Sequence, residues 1–153
     1  MTTKAELLAA EDAGWIAFRE ALAPLSLDQY ELPGYFAEGW SVKDLIGHIG
    51  AWAAEAQCVL EQIRNGTFDD SPVDVDALNR RFFEANRDLP LSVVRAEGWA
   101  ARTRMLTEFG RLSELTPAAE SWFVEGGAEH YAEHLPRLRE WAAELLRSRG
   151  NGP

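Results

Sequence analysis

The sequence predicts an all-α four-helix bundle, with a short accessory helix in the connection between the second and third long helices. Three observations carry that prediction. Apolar residues recur at helical spacing over four long stretches, helix-start signals stand near the heads of those stretches, and no run keeps the two-residue alternation of a strand.

Thr3 with Glu6 forms a Thr-x-x-Glu capping box, and Leu8, Trp15, Phe18 and Leu22 then fall on one face. The first helix is therefore expected to run to about Ala23, where Pro24 ends it. Residues 24–40, with Pro33, Gly34 and Gly39, read as a loop. Ser41 with Asp44 repeats the cap signal, and Leu45, Ile49, Trp52, Ala56, Val59 and Ile63 keep helical spacing until Asn65-Gly66 stops the second helix. Ser71-Pro72 has the signature of an N-cap followed by proline at the first helical position, so a short helix of about 15 residues is expected to reach Asp88, ahead of Pro90. Ser92 is expected to cap the third long helix, whose Val94, Ala101, Met105, Phe109 and Leu112 make a stripe as far as Leu115. After Pro117 a last helix carries Tyr131, Leu135, Leu138, Ala142 and Leu145, and Gly126-Gly127 interrupts its beginning. The 24–40 and 66–91 segments are long enough to be crossovers. Residues 1–153 read as one domain, with a frayed tail from about 148 in RSRGNGP.

Composition narrows the function. A chain of 153 residues, 46% apolar and 26% charged, can bury a full core and is unlike a disordered or membrane-embedded one. No apolar run reaches the roughly 18 residues that a membrane span needs. The opening MTTKAELLAAEDAG is charged too early for a signal peptide, so a cytoplasmic location is expected. With 25 acidic against 15 basic residues the net charge is −10, which makes nucleic acid and anionic membranes poor partners. The single cysteine, Cys58, can form neither an internal disulfide nor a cysteine-rich zinc site. Any metal must therefore use nitrogen and oxygen ligands. No glycine-rich phosphate loop is present, and no Ser/His/Asp set has a strand-turn-helix context.

The three histidines, His48, His130 and His134, are the most informative residues. His130 and His134 in HYAEH stand one helical turn apart on the same face. His48 lies at the margin of the apolar stripe of the second helix and points inward. Helices of a bundle can bring these rings together as a three-nitrogen site open to water or substrate. The residues alone also allow a partly buried core histidine and an incidental pair on a solvated face.

Three segments, WSVKDLIGHIGAW, DVDALNRRFFEANRDLPLSVV and HYAEHLPRL, resemble in the same order those of the DinB-like four-helix-bundle superfamily, which includes thiol-dependent maleylpyruvate isomerases and bacillithiol transferases. The likeness spans residues 4–147. It implies a DinB-like bundle in which His48, His130 and His134 hold a divalent metal, zinc or nickel. It further implies a low-molecular-weight thiol such as mycothiol or bacillithiol, a small electrophilic substrate, a transferase or isomerase reaction, and a homodimer as one assembly. Two other readings stand beside it: a non-catalytic small-molecule-binding or self-protection bundle with a structural or absent metal, as in colibactin-resistance proteins of related type, and a metal-water hydrolase.

Trp52, one turn from His48, and Glu55, about two turns from it, are candidate pocket residues for the cofactor. Glu55 is about 10 Å along the helix from His48, too far to share an ion. Asp44 is read as part of the helix cap, Glu129 and Glu133 as solvated, with Glu133 also a candidate acid behind a ligand. Cys58, about 15 Å along the helix, is read as buried packing, and the six tryptophans as core or loop anchors. Gly126-Gly127 is expected to loosen the start of the last helix and Pro136 to kink it.

Overall fold

Six α-helices and one 3-10 turn make up the computed structural model, which describes the backbone of residues 1–150 and the side chains of residues 1–148. The order is α1 (Lys4–Leu22), the 3-10 turn (Gln29–Glu31), α2 (Val42–Asn65), α3 (Val75–Asn86), α4 (Leu91–Arg111), α5 (Pro117–Gly126) and α6 (Ala128–Gly150). Four are long and two short, with no strand among the described residues. No described helix is long and apolar enough to cross a membrane.

Both capping boxes form. Thr3 Oγ1 accepts from Glu6 N at 3.2 Å and Glu6 Oε2 accepts from Thr3 N at 2.7 Å. The same exchange joins Ser41 and Asp44, at 3.3 and 2.8 Å. These bonds satisfy backbone donors that the first turn of a helix leaves free. Gly66 closes α2 in the left-handed region at φ +73°.

Other boundaries differ from the sequence expectation. The accessory helix α3 begins at Val75, because Asp74, and not Ser71, is the cap: its carboxylate accepts from Ala77 N at 3.0 Å. It ends at Asn86, short of Asp88. Ser92 does not cap α4; Pro90 precedes its first residue, Leu91, and the helix stops at Arg111 instead of Leu115, since Leu112 is extended at ψ 127°. The single last helix is two helices. Thr116 caps α5, and Gly127 separates it from α6 with φ −122° and ψ −104°. A Cβ on Gly127 would stand 3.0 Å from Glu11 Cγ and 3.1 Å from the Phe123 carbonyl oxygen, so a side chain there would press on both neighbours at the turn. Helix α6 runs through Pro136 without a break and continues to Gly150. The tail expected from about 148 is therefore not found at 148–150, and residues 151–153 lie outside the described residues.

In the bundle α2 packs chiefly against α4 and α1 against α6, with α5 laid on α2. Helices α2 and α4 meet glycine to glycine: a Cβ on Gly50 would lie 2.8 Å from Gly98 Cα. The core has two parts. One gathers Trp15, Phe18, Leu22, Leu45, Ile49, Tyr131 and Leu138. The other gathers Leu7, Ala56, Leu60, Met105, Phe109 and Phe123, with the last two rings stacked at 3.8 Å. Along the chain the change from one part to the other falls between Ile49 and Ala53 in α2 and at the α5–α6 break. Polar groups occupy the interior there. Glu11, fully buried, accepts from Arg102 Nε and Nη2 at 2.7 Å each and from the Tyr131 hydroxyl at 2.9 Å. The histidines occupy another part of this level.

Candidate metal centre

Helix α2 presents His48, and the first two turns of α6 present His130 and His134. The break at Gly127 sets where α6 begins, and so which residues of HYAEH face α2. His130 and His134 are buried at 7% and 8% exposure, and His48 is half-buried. His130 Nε2 and His48 Nε2 are 3.0 Å apart, and one nitrogen from each of the three rings lies within 4.8 Å of the others. Among the described residues this is the group of histidine, cysteine and carboxylate side chains that converges closely enough for one ion.

The third ring is held from behind. The Tyr35 hydroxyl lies 3.1 Å from His134 Nδ1 and donates to the His134 carbonyl oxygen at 3.5 Å. With Nε2 as the ligand atom the ring proton sits on Nδ1, and the Tyr35 hydroxyl is then its acceptor. Tyr35 is fixed in turn by Arg137, one turn beyond His134: its Nε donates to the Tyr35 carbonyl at 2.7 Å and its Nη2 to that of Gly34 at 3.0 Å. Gly34 has φ +124°, and a Cβ there would meet the Trp141 ring at 2.7 Å. Aromatic rings from the same loop cover the site. Trp40 stands edge-on to His48 at 5.4 Å and stacks on Phe83 of α3 at 5.5 Å, while Phe36 lies 6.1 Å from His134.

Burial sets the charge of the rings. It pushes His48 down to about 4, with His134 adding to the effect, and His130 down to about 3, with both neighbouring histidines adding. His134 is also lowered by burial, against a smaller opposing pull from Glu133. All three are therefore neutral at pH 7, which is the form a metal needs. Burial raises Tyr35 to about 12, so its hydroxyl keeps its proton.

These residues fit a divalent ion. Two nitrogens about 2.1 Å from a tetrahedral ion are about 3.4 Å apart, so the His48–His130 pair at 3.0 Å and a third nitrogen within 4.8 Å reach one ion with small movements of the rings. Three imidazoles suit zinc or nickel. The Nδ1 atoms of His48 and His130, on the far side of each ring from the facing Nε2 atoms, are buried without a protein partner.

A cavity of about 290 Å³ opens beside His48 and His130, walled by Trp52, Asn79 and Trp122 and bordered by Glu125, Glu129 and Glu133. Trp52 Nε1 donates to Asn79 Oδ1 at 2.8 Å and its ring meets Phe82 edge-on at 5.4 Å, which ties α3 to α2 beside the site. Trp52 lines this cavity. Glu55 does not: it lines a separate cleft with Val59, Gln62 and Phe68, and only Trp122 borders both spaces. Two helical turns carry its carboxylate past the indole. Cys58, expected to be buried, is exposed, because it lies beside the buried stripe of Ala56, Val59 and Leu60 and not within it. Asp44 serves the cap, and Glu129 and Glu133 are exposed. Sequence reasoning missed Tyr35, Trp40, Asn79, Trp122 and Arg137. The aromatic run YFAEGW inside an otherwise turn-forming loop was the available signal for the first two.

A family model described as the mycothiol maleylpyruvate isomerase N-terminal domain matches residues 11–146. No curated protein matches the chain. Among solved structures, an uncharacterised protein from Escherichia coli UTI89 is similar with a TM-score of 0.79 and 19% identity, over 95% of this chain and 96% of that one. The colibactin self-resistance protein ClbS, in complex with a double-stranded DNA, is similar with a TM-score of 0.78 and 16% identity, over 92% and 96%. At these identities the likeness is one of fold.

Proposed function

Since the chain belongs to the mycothiol maleylpyruvate isomerase N-terminal domain family, within the DinB-like superfamily, we propose that its histidines hold one zinc or nickel ion and that it uses a low-molecular-weight thiol, of the mycothiol or bacillithiol kind, against a small electrophile. One observation carries the reading: three neutral, converging imidazoles border a cavity large enough for a small ligand. A divalent ion held there supplies a cationic centre that makes a thiol, whose free pKa is about 8.5, available as thiolate at neutral pH.

The chain's own groups prepare that chemistry. His48, His130 and His134 offer unprotonated nitrogens, so protons compete little for the site. Tyr35 fixes the tautomer and direction of His134. Trp40 and Phe36 keep water from the covered side, and Trp52 and Trp122 wall the side where substrate enters. Cys58 is exposed and not among the converging ligands, so the sulfur comes from solution.

Elemental analysis of protein purified without a histidine tag should find about one divalent ion per chain, reduced strongly in His134→Ala. Cobalt-substituted protein should develop sulfur-to-metal absorption on addition of a small thiol, equally in Cys58→Ser and not in His130→Ala. A bound metal indifferent to every thiol would favour a metal-water hydrolase. Protein lacking metal altogether would favour the non-catalytic binding or self-protection bundle. The duplex seen with ClbS is a partner of that protein; a net charge of −10 and an acidic cavity border argue against a polyanion here.

A further inference from the structure

The two halves of the histidine site belong to different helix pairs. His48 is on α2, which packs chiefly on α4, whereas His130 and His134 are on α6, which packs chiefly on α1 and only lightly on α2. Direct packing of α2 on α6 therefore does little to hold the three rings together. A buried polar network joins the pairs. Glu11 of α1, fully buried, accepts from Arg102 of α4 through both carboxylate oxygens, Nε to Oε1 and Nη2 to Oε2, each at 2.7 Å. Its Oε1 also accepts from the hydroxyl of Tyr131, the residue after His130, at 2.9 Å. The Glu11 side chain reaches the start of α6 as well, where a Cβ on Gly127 would stand 3.0 Å from its Cγ.

Burying such a network is unfavourable, and apolar side chains of similar volume often stabilise a core as well or better. What the network supplies beyond apolar packing is direction. Trp15 and Phe18 meet the Tyr131 ring at 5.7 and 5.9 Å between centroids, contacts that tolerate small rotations, whereas a two-pronged guanidinium–carboxylate pair with a third donor fixes orientation. Around the α6 axis Tyr131 lies about 100° from His130 and about 60° from His134, so a turn of the helix that moved its hydroxyl would carry both histidines. At about 6 Å from the axis, a rotation of about 10° displaces a ring nitrogen by about 1 Å, several times the roughly 0.2 Å within which metal–ligand distances are held. We infer that Glu11, Arg102 and Tyr131 are positioning residues for the histidine site, fixing the rotation of α6 that brings His130 and His134 up to His48. The inference deepens the proposed function and rests on it only where a bound metal is the readout.

The test removes the network without stranding a buried charge. In Glu11→Leu/Arg102→Met/Tyr131→Phe the helical circular dichroism should be unchanged and the urea midpoint equal to or above that of the wild type. Zinc affinity, measured by competition with a chromophoric chelator, should nevertheless fall about 10–100-fold, and the ligand-field bands of the cobalt-loaded variant should shift, because the rings meet the ion at altered angles. Tyr131→Phe alone keeps the ion pair, should lower zinc affinity about tenfold with the same shift, and is the deciding variant if the triple one does not fold. As a control, Arg64→Met/Glu108→Gln removes a different ion pair between α2 and α4, about 24 Å along α2 from His48, and should leave zinc affinity and cobalt bands as they are. Zinc affinity within about twofold of wild type in the deciding variant, or a loss as large in the control, overturns the inference. If the wild type takes up no metal, the proposed function fails, and the nuclear Overhauser contact between the His48 and His130 rings, whose centroids are 4.8 Å apart, is the readout in metal-free protein. Loss of that contact in the deciding variant but not in the control upholds the inference; its persistence there, or its absence from the wild type, overturns it.

Discussion

Replacing Tyr35 by Phe removes one oxygen and keeps the ring. Tyr35 is fully buried, so no cavity opens and water gains no access to the vacated position. What is lost is the 3.1 Å bond with His134 Nδ1; the contact with the carbonyl, at 3.5 Å, contributes little at that length. A buried ring N–H is then left without an acceptor, which should cost about 1–3 kcal/mol of stability. The effect on metal is separate. With Nδ1 free, His134 can carry its proton on either nitrogen and rotate, and loss of such a supporting bond typically lowers metal affinity about 10–100-fold, or about 1.4–2.8 kcal/mol. Urea denaturation of metal-free protein measures the first effect, and zinc competition with a chromophoric chelator measures the second. Arg137→Met should shift both in the same direction by less, since it loosens the backbone that carries Tyr35 and not the hydroxyl itself. A zinc affinity within about twofold of wild type in Tyr35→Phe, alongside reduced stability, would refute the assigned tautomer and reduce Tyr35 to packing.

Gly50→Ala should destabilise by about 1–3 kcal/mol in thermal or urea unfolding, because its Cβ would lie 2.8 Å from Gly98 Cα, whereas Gly110→Ala, with nothing within 4 Å, should be neutral or slightly stabilising. Glu11→Ala should cost about 3–5 kcal/mol by leaving Arg102 and Tyr131 without their shared acceptor. Glu108 is held below the usual carboxylate range by the hydrogen bond from Arg64, which outweighs the opposing effect of burial, with the charges of Arg64 and Arg111 adding to the lowering. A lowered folded pKa gives stability that is present above the unfolded value, about 4.3, and is lost as pH falls through the folded one. The urea midpoints of wild type and Glu108→Gln should therefore differ by a constant amount above about pH 5 and converge below about pH 4. A gap that widens on acidification would contradict the Arg64–Glu108 pairing.

What the chain reveals before folding depends on how local the cause is. The boundaries of α1 and the start of α2 could be read because Thr3–Glu6 and Ser41–Asp44 each satisfy a helix terminus within four residues. Ser71-Pro72 misled because Asp74, three residues on, offers the same service and wins. Ser92 misled because a hydroxyl near a helix start resembles a cap even when it sits inside the first turn. The histidine spacing was readable as a face of one helix, and the bundle architecture supplied its meeting with His48. The surroundings of the rings were not. Tyr35 reaches His134 across 99 positions, and Asn79 reaches Trp52 across 27, on a loop and a helix whose placement against their partners no short pattern encodes. Glu55 shows the opposite error: helical phase placed it on nearly the same side as His48, but distance along the axis put it in another cleft.

The division of the apolar interior into two packed parts, with the histidines where one gives way to the other, bears on how such a protein can change over evolutionary time. The three histidine rings stand outside both parts, while Tyr35 of the first part reaches His134 and Trp40, packed against that part, reaches His48. A lineage can alter or lose the histidines and still inherit two hydrophobic centres, so the scaffold outlives its chemistry. Selection on the reaction and selection on the fold meet at those two aromatic residues, and elsewhere descendants of one ancestral bundle can diverge in what they do faster than in how they fold.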